Sequence, residues 1–81
     1  MIPRVRDAKY VRNFVIKVCF TDDAEGEIDL ERDLEGEIFE PLRDISYFRR
    51  FVVHPELYTP TWPNGADFAP EYPYQKLKYA A

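Results

Sequence analysis

The sequence predicts an α+β domain, a small antiparallel sheet of about four to five strands with two or three short helices in one compact unit over residues 1–81. Three observations carry this. Apolar residues recur at every second position from Phe14 to Phe20, the period of a half-buried strand. Gly36, Pro41, Pro60 and Pro73 interrupt the remaining apolar runs before any reaches the length of a long helix. Six Phe, six Tyr and one Trp, 16% of the chain, build a core from few side chains.

Val5 to Tyr10 reads as a first strand without a clean apolar side, so an edge position is expected. Phe14 to Phe20 is the strongest strand. Phe14, Ile16, Val18 and Phe20 form one face, and Val15 and Cys19 make the other half apolar, which predicts a central position with Lys17 toward water. Thr21 to Gly26 is an acid-rich turn, after which Ile28 and Leu30 alternate with Glu27, Asp29 and Glu31; the two runs predict a hairpin. Arg32 to Arg43, broken by Gly36 and Pro41, predicts short helical turns with Leu34, Ile38, Phe39 and Leu42 inward.

Asp44 is placed to cap a short helix through Arg50 in which Ile45 and Phe48 share a face. Phe51 to His54 and Tyr58 to Trp62 read as strands, the second confined to an edge or a bulge because Pro60 has no N–H for a ladder. Pro63 presets φ for a turn and Asn64-Gly65 tolerates positive φ. Asp67 is expected to offer its carboxylate to the free N–H groups of a following helical turn. That turn starts at Ala69-Pro70-Glu71-Tyr72 and is expected to stop at Pro73. Tyr74, Leu77 and Lys78 stand at helical spacing, which leaves the tail to Ala81 open between a short helix and loose chain.

A domain this short buries only about 60–65% of the surface its unfolded chain exposes, so its stability is expected to be marginal. Cys19 has no second cysteine to bridge, which excludes a disulfide scaffold and predicts a reducing, cytoplasmic setting. No apolar run has the length of a membrane span or a signal-peptide core. A net charge of −4 disfavours nucleic acid, which is held through Lys and Arg on phosphates. The charge is also polarised: ten of fifteen acids lie between Asp22 and Glu40, where Arg32 is the only base, while Arg4, Arg6, Lys9 and Arg12 crowd the first dozen residues.

Catalytic material is thin. With one His, one Cys and one Ser there is no evident nucleophile beside an oriented base, and a non-enzyme is expected. Cys19 reads as strand packing, and His54, in His54-Pro55-Glu56, as the cap of a proline turn. A calcium loop with Gly26 in its sixth position would place Arg32 where a bidentate carboxylate is required, so no metal site is expected. The three glycines are scattered, which leaves no phosphate loop, and no cofactor is expected. Asp67 beside Trp62 reads as structural rather than catalytic. The pattern that remains is a stripe: Glu25, Glu27, Asp29 and Glu31 fall at period two, so in a strand they stand on one side while Ile28 and Leu30 point inward. It serves either as a solvated, edge-protecting face or as a surface for a basic protein partner. Tyr58, Trp62, Phe68, Tyr72, Tyr74 and Tyr79 crowd the last third and read as a lid over one sheet face or, where exposed, as a subunit contact.

The run Trp62-Pro63-Asn64-Gly65-Ala66-Asp67, with Phe39-Glu40-Pro41-Leu42-Arg43-Asp44, the Tyr47-Phe48 pair and Val53-His54-Pro55-Glu56-Leu57 in the same order, resembles the bacterial domain of unknown function 2442 family. The resemblance implies a compact α+β fold and, by association with neighbouring toxin-like proteins, an antitoxin-like or regulatory role; it implies no reaction and no site residues. The chain departs from the family pattern at Pro60-Thr61, where an apolar pair is expected, which predicts irregular pairing there. The functional expectation is a protein-interaction module, with homo-oligomerisation open, that takes a basic partner on Glu25, Glu27, Asp29 and Glu31. The alternative is a small-molecule sensor with a pocket beneath the Trp62 turn, lined by Tyr58, Phe68 and Tyr72.

Overall fold

A computed structural model describes residues 3–79. Val5–Arg12 (β1), Val15–Phe20 (β2) and Glu25–Asp29 (β3) form an antiparallel meander in the order β1-β2-β3, so the expected edge, centre and hairpin all stand. Strand β2 buries Ile16, Val18 and Phe20 completely and leaves Lys17 exposed, as its period requires. The β1–β2 turn at Asn13-Phe14, with Asn13 at φ 44°, was not expected. It takes Phe14 out of the strand, yet the ring still packs edge-on against Phe48 with centroids 5.3 Å apart.

After β3 the chain makes 3-10 turns at Glu31–Asp33 and Glu40–Arg43, with Leu34 and Leu42 buried. Ile38 stays half exposed, contrary to its expected inward position, because it lies in a turn whose carbonyl accepts from Asn64 Nδ2 at 2.8 Å. The Asp44 carboxylate accepts from the Ser46 amide and caps helix α1, Ile45–Phe48. The next strands, Val52–Val53 (β4) and Pro60–Thr61 (β5), pair with each other and not with the meander, so the expected single sheet is two, of three and two strands. Pro60 has no donor to extend the ladder, which keeps β5 to two residues.

Trp62 starts a three-residue loop. The Gly65 amide donates to the Trp62 carbonyl and the Trp62 amide donates to the Ala66 carbonyl, both at 2.9 Å, with Gly65 at φ +90°. That is a turn closed by a left-handed glycine, and a side chain there would be strained. The carboxamide of Asn64 accepts from the Ala66 amide at 3.1 Å, so Asn64 orders the loop from within. Asp67 does not cap a helix: it forms an isolated bridge with Thr61, and the next helix starts four residues later.

Helix α2, Glu71–Tyr79, runs through Pro73 instead of stopping there. Pro73 lies in the first turn, where an amide has no intrahelical acceptor to lose, and its ring is buried. The tail is therefore helical through Tyr79; Ala80 and Ala81, and the Tyr79 side chain, lie outside the described residues.

The core lies between the inner face of the meander and the segments that follow it. Phe48 occupies its middle, within 6.4 Å (centroid to centroid) of the rings of Tyr10, Phe14, Phe51 and Trp62. The indole Nε1 of Trp62 donates to the Phe48 carbonyl at 2.8 Å, so the one polar atom of a buried Trp is satisfied. Of the aromatic third, Trp62 and Phe68 are buried and Tyr74 packs edge-on against Phe20 at 4.9 Å, whereas Tyr58 and Tyr72 are exposed.

Candidate functional site

Strand β3 is an edge, and its register with β2 sets Glu25 opposite Cys19, Glu27 opposite Lys17 and Asp29 opposite Val15. The three acids are exposed on the outer face, and Ile28 between them is buried. Glu31 does not extend the line: the chain leaves the strand at Leu30 and Glu31 opens a 3-10 turn, its amide donating to Asp29 Oδ1 at 2.9 Å. Leu30 points inward as the period requires, but its backbone leaves the extended region at ψ 6° and ends the strand, which period-two counting from sequence does not register.

The outer face also carries bases. Arg12 Nη1 lies 3.2 Å from Glu27 Oε1, but the side chains are 61% and 49% exposed, so the pair is screened by solvent and contributes about 0–1 kcal/mol. Glu25 and Asp29 form no ion pair among the described residues. A shallow cleft on this face is lined in part by Arg6, Lys9, Lys17, Cys19 and Glu25. In it Arg6 donates to the Cys19 sulfur at 2.9 Å and to Asp23 Oδ1 at 3.1 Å, and these two acceptors, Cys19 first, raise the guanidinium above its ordinary value. The Arg6–Cys19 contact was not legible in sequence, because it depends on a register shift in β1 between Val5 and Asp7.

Two other acids of the segment, Asp22 and Asp33, are tied to α2. Tyr74 donates to Asp22 Oδ2 at 2.7 Å, Tyr72 donates to Asp33 Oδ1, and Lys76 lies 2.9 Å from Asp33 Oδ2. The hydrogen bond from Tyr74, aided by the Ala24 amide, holds the Asp22 carboxyl below its ordinary value; the same bond pushes the Tyr74 phenol up, and Asp33 together with partial burial pushes Tyr72 up. Leu77 closes over Gly26, where a Cβ would come within 2.6 Å of Leu77 Cδ1. Gly26 is thus the close-approach point between helix and strand.

His54 caps its turn, Nδ1 accepting from the amides of Glu56 at 3.0 Å and Leu57 at 3.1 Å. The Trp62 turn does not gather the expected pocket. Tyr72 stacks on Phe68 at 5.6 Å and Phe68 on Phe39 at 4.9 Å, beside an open groove that also touches Asp33 and Asp67, but Tyr58 lies elsewhere under the Arg4 guanidinium. Among the described residues no group of three or more His, Cys, Asp and Glu is placed to hold a metal ion, and no helix is long and apolar enough to cross a membrane.

Fold and site together define a small α+β domain built on an antiparallel meander with one acidic edge. The family model described as "Protein of unknown function (DUF2442)" matches residues 5–79, and the chain belongs to that family. No curated protein matches the chain, and no solved structure does.

Proposed function

We propose that this domain is a non-enzymatic interaction module, antitoxin-like or regulatory in role, that takes a basic protein partner on the exposed acids of β3. The observation that carries the reading is the division of labour among the carboxylates. Asp22 and Asp33 are committed to α2, whereas Glu25, Glu27 and Asp29 stand together on an exposed edge and hold one weak ion pair among them. Opposite charge along such an edge speeds encounter and is screened by salt. The lone Cys19 fits a reducing cytoplasm.

The test is capture of a partner from the native cell extract, identified by mass spectrometry, with wild type and with Glu27→Lys/Asp29→Lys. A basic protein retained by wild type and lost by the folded variant supports the module; equal retention rejects it. The groove beside Phe68 and Tyr72 supports a second reading, a small-molecule sensor. A metabolite that raises the thermal midpoint of the free domain would favour that reading, because ligand bound to the folded state must stabilise it.

A further inference from the structure

The two ends of the β2–β3 ladder fix which way the β3 backbone faces. Phe20 donates to the Ala24 carbonyl at 2.8 Å and Leu30 donates to the Phe14 carbonyl at 2.9 Å. In an antiparallel pair, residues whose N–H and C=O face the neighbour alternate with residues whose groups face away. Gly26 and Ile28, with the Ala24 carbonyl and the Leu30 amide at the two ends, therefore turn their backbone groups to β2, and Glu25, Glu27 and Asp29 turn theirs outward. No hydrogen bond outside the ladder uses those outward groups among the described residues. The opposite edge is not equivalent, since Val5 of β1 donates to the Tyr58 carbonyl at 3.0 Å and β4 packs beside that strand.

The residues with outward backbone groups are thus the residues with the exposed carboxylates, of which Glu27 holds one screened pair with Arg12. Building on the interaction reading above, we infer that the partner enters as a strand: an extended segment with Lys or Arg at every second position adds to the β3 edge. Its basic side chains lie over Glu25, Glu27 and Asp29, and its backbone completes their hydrogen bonds. Charge selects this occupant. A second copy adding through its own β3 would set acids against acids, and an uncharged strand would leave the carboxylates unpaired. On the inner side Leu77 of α2 lies against Gly26, an apolar neighbour for the intervening residues of the added strand.

The direct probe is a short capped peptide alternating Lys with Val, titrated into the intact domain at low salt, beside two analogues N-methylated either at every Lys amide or at every Val amide. Side chains opposite each other in an antiparallel hydrogen-bonded pair share a face, so the Lys amides point at β3 when the peptide runs antiparallel and the Val amides do when it runs parallel. Loss of about tenfold or more in affinity confined to one analogue supports strand addition and gives its direction. An equal effect of both methylations overturns strand addition while leaving the charge reading intact. Failure of the unmodified peptide to bind rejects both. Glu27→Pro checks the protein side, because it removes an outward N–H without touching the ladder. It should bind more weakly than Glu27→Gln with an unchanged circular dichroism spectrum, and equal binding by the two folded variants overturns the proposal.

Discussion

The Trp62 turn and the β3 edge carry the two most distinctive patterns in the sequence, and the fold treats them in opposite ways. At the turn, Pro63, Asn64 and Gly65 fold the backbone so that the Trp62 indole lies among Phe48, Phe51 and Phe68 and spends its N–H on the Phe48 carbonyl. Along β3, side chains of high desolvation cost stay in water, and the strand keeps its place through Ile28 below and β2 beside it. A recognisable motif therefore marks the part of the molecule that holds it together, while a plain alternation of acids marks an edge left exposed to solvent.

The sharpest way to break this comparison is Trp62→Ala, which empties the most crowded part of the core and removes the partner of the Phe48 carbonyl. A loss of about 3–5 kcal/mol is expected from urea unfolding, enough to leave a domain of this size largely unfolded. Gly26→Val comes next. Its side chain must displace Leu77, and about 1–3 kcal/mol is expected, with faster amide exchange concentrated in α2. Gly26→Ala should cost less, since the atom in the way is the end of a flexible side chain.

The docking of α2 should also depend on pH, with two limbs. The Asp22 carboxyl sits below its ordinary 3.8, so its stabilisation is complete above that value and drains away as pH falls through the lower folded one. The Tyr72 and Tyr74 phenols sit above their ordinary 10.0, so their stabilisation is complete below 10.0 and is lost as pH rises through the higher folded values. Tyrosine fluorescence and the amide protection factors of α2 should hold steady between these limits and change outside them, and Tyr74→Phe should reduce the Asp22 contribution to the acid limb.

Much of this fold was legible in the sequence where a pattern was local. The period-two run of β2, the hairpin into β3, the Asp44 cap and the His54 turn each rest on residues a few positions apart. Other features depend on long-range contacts or on position within an element. Pro73 reads as a stop until its place in the first helical turn is known, and Asp67 reads as a cap until the helix is seen to start at Glu71. The tie of Tyr74 to Asp22 spans 52 residues, so nothing in the acidic segment marked which of its carboxylates would be used internally. The stripe itself was legible over Glu25, Glu27 and Asp29 and not at Glu31, where the backbone turn at Leu30 has ended the strand.

The smallest expected change in stability belongs to Glu27→Lys/Asp29→Lys, and it bears most directly on the central claim, that the β3 carboxylates serve binding and not folding. Urea unfolding and titration with a lysine-rich peptide should be run on the same preparations of wild type and variant. The account predicts unfolding free energies within about 0.5 kcal/mol of each other together with loss of peptide binding by the variant. A variant that unfolds markedly earlier, or that binds the peptide as wild type does, would contradict it.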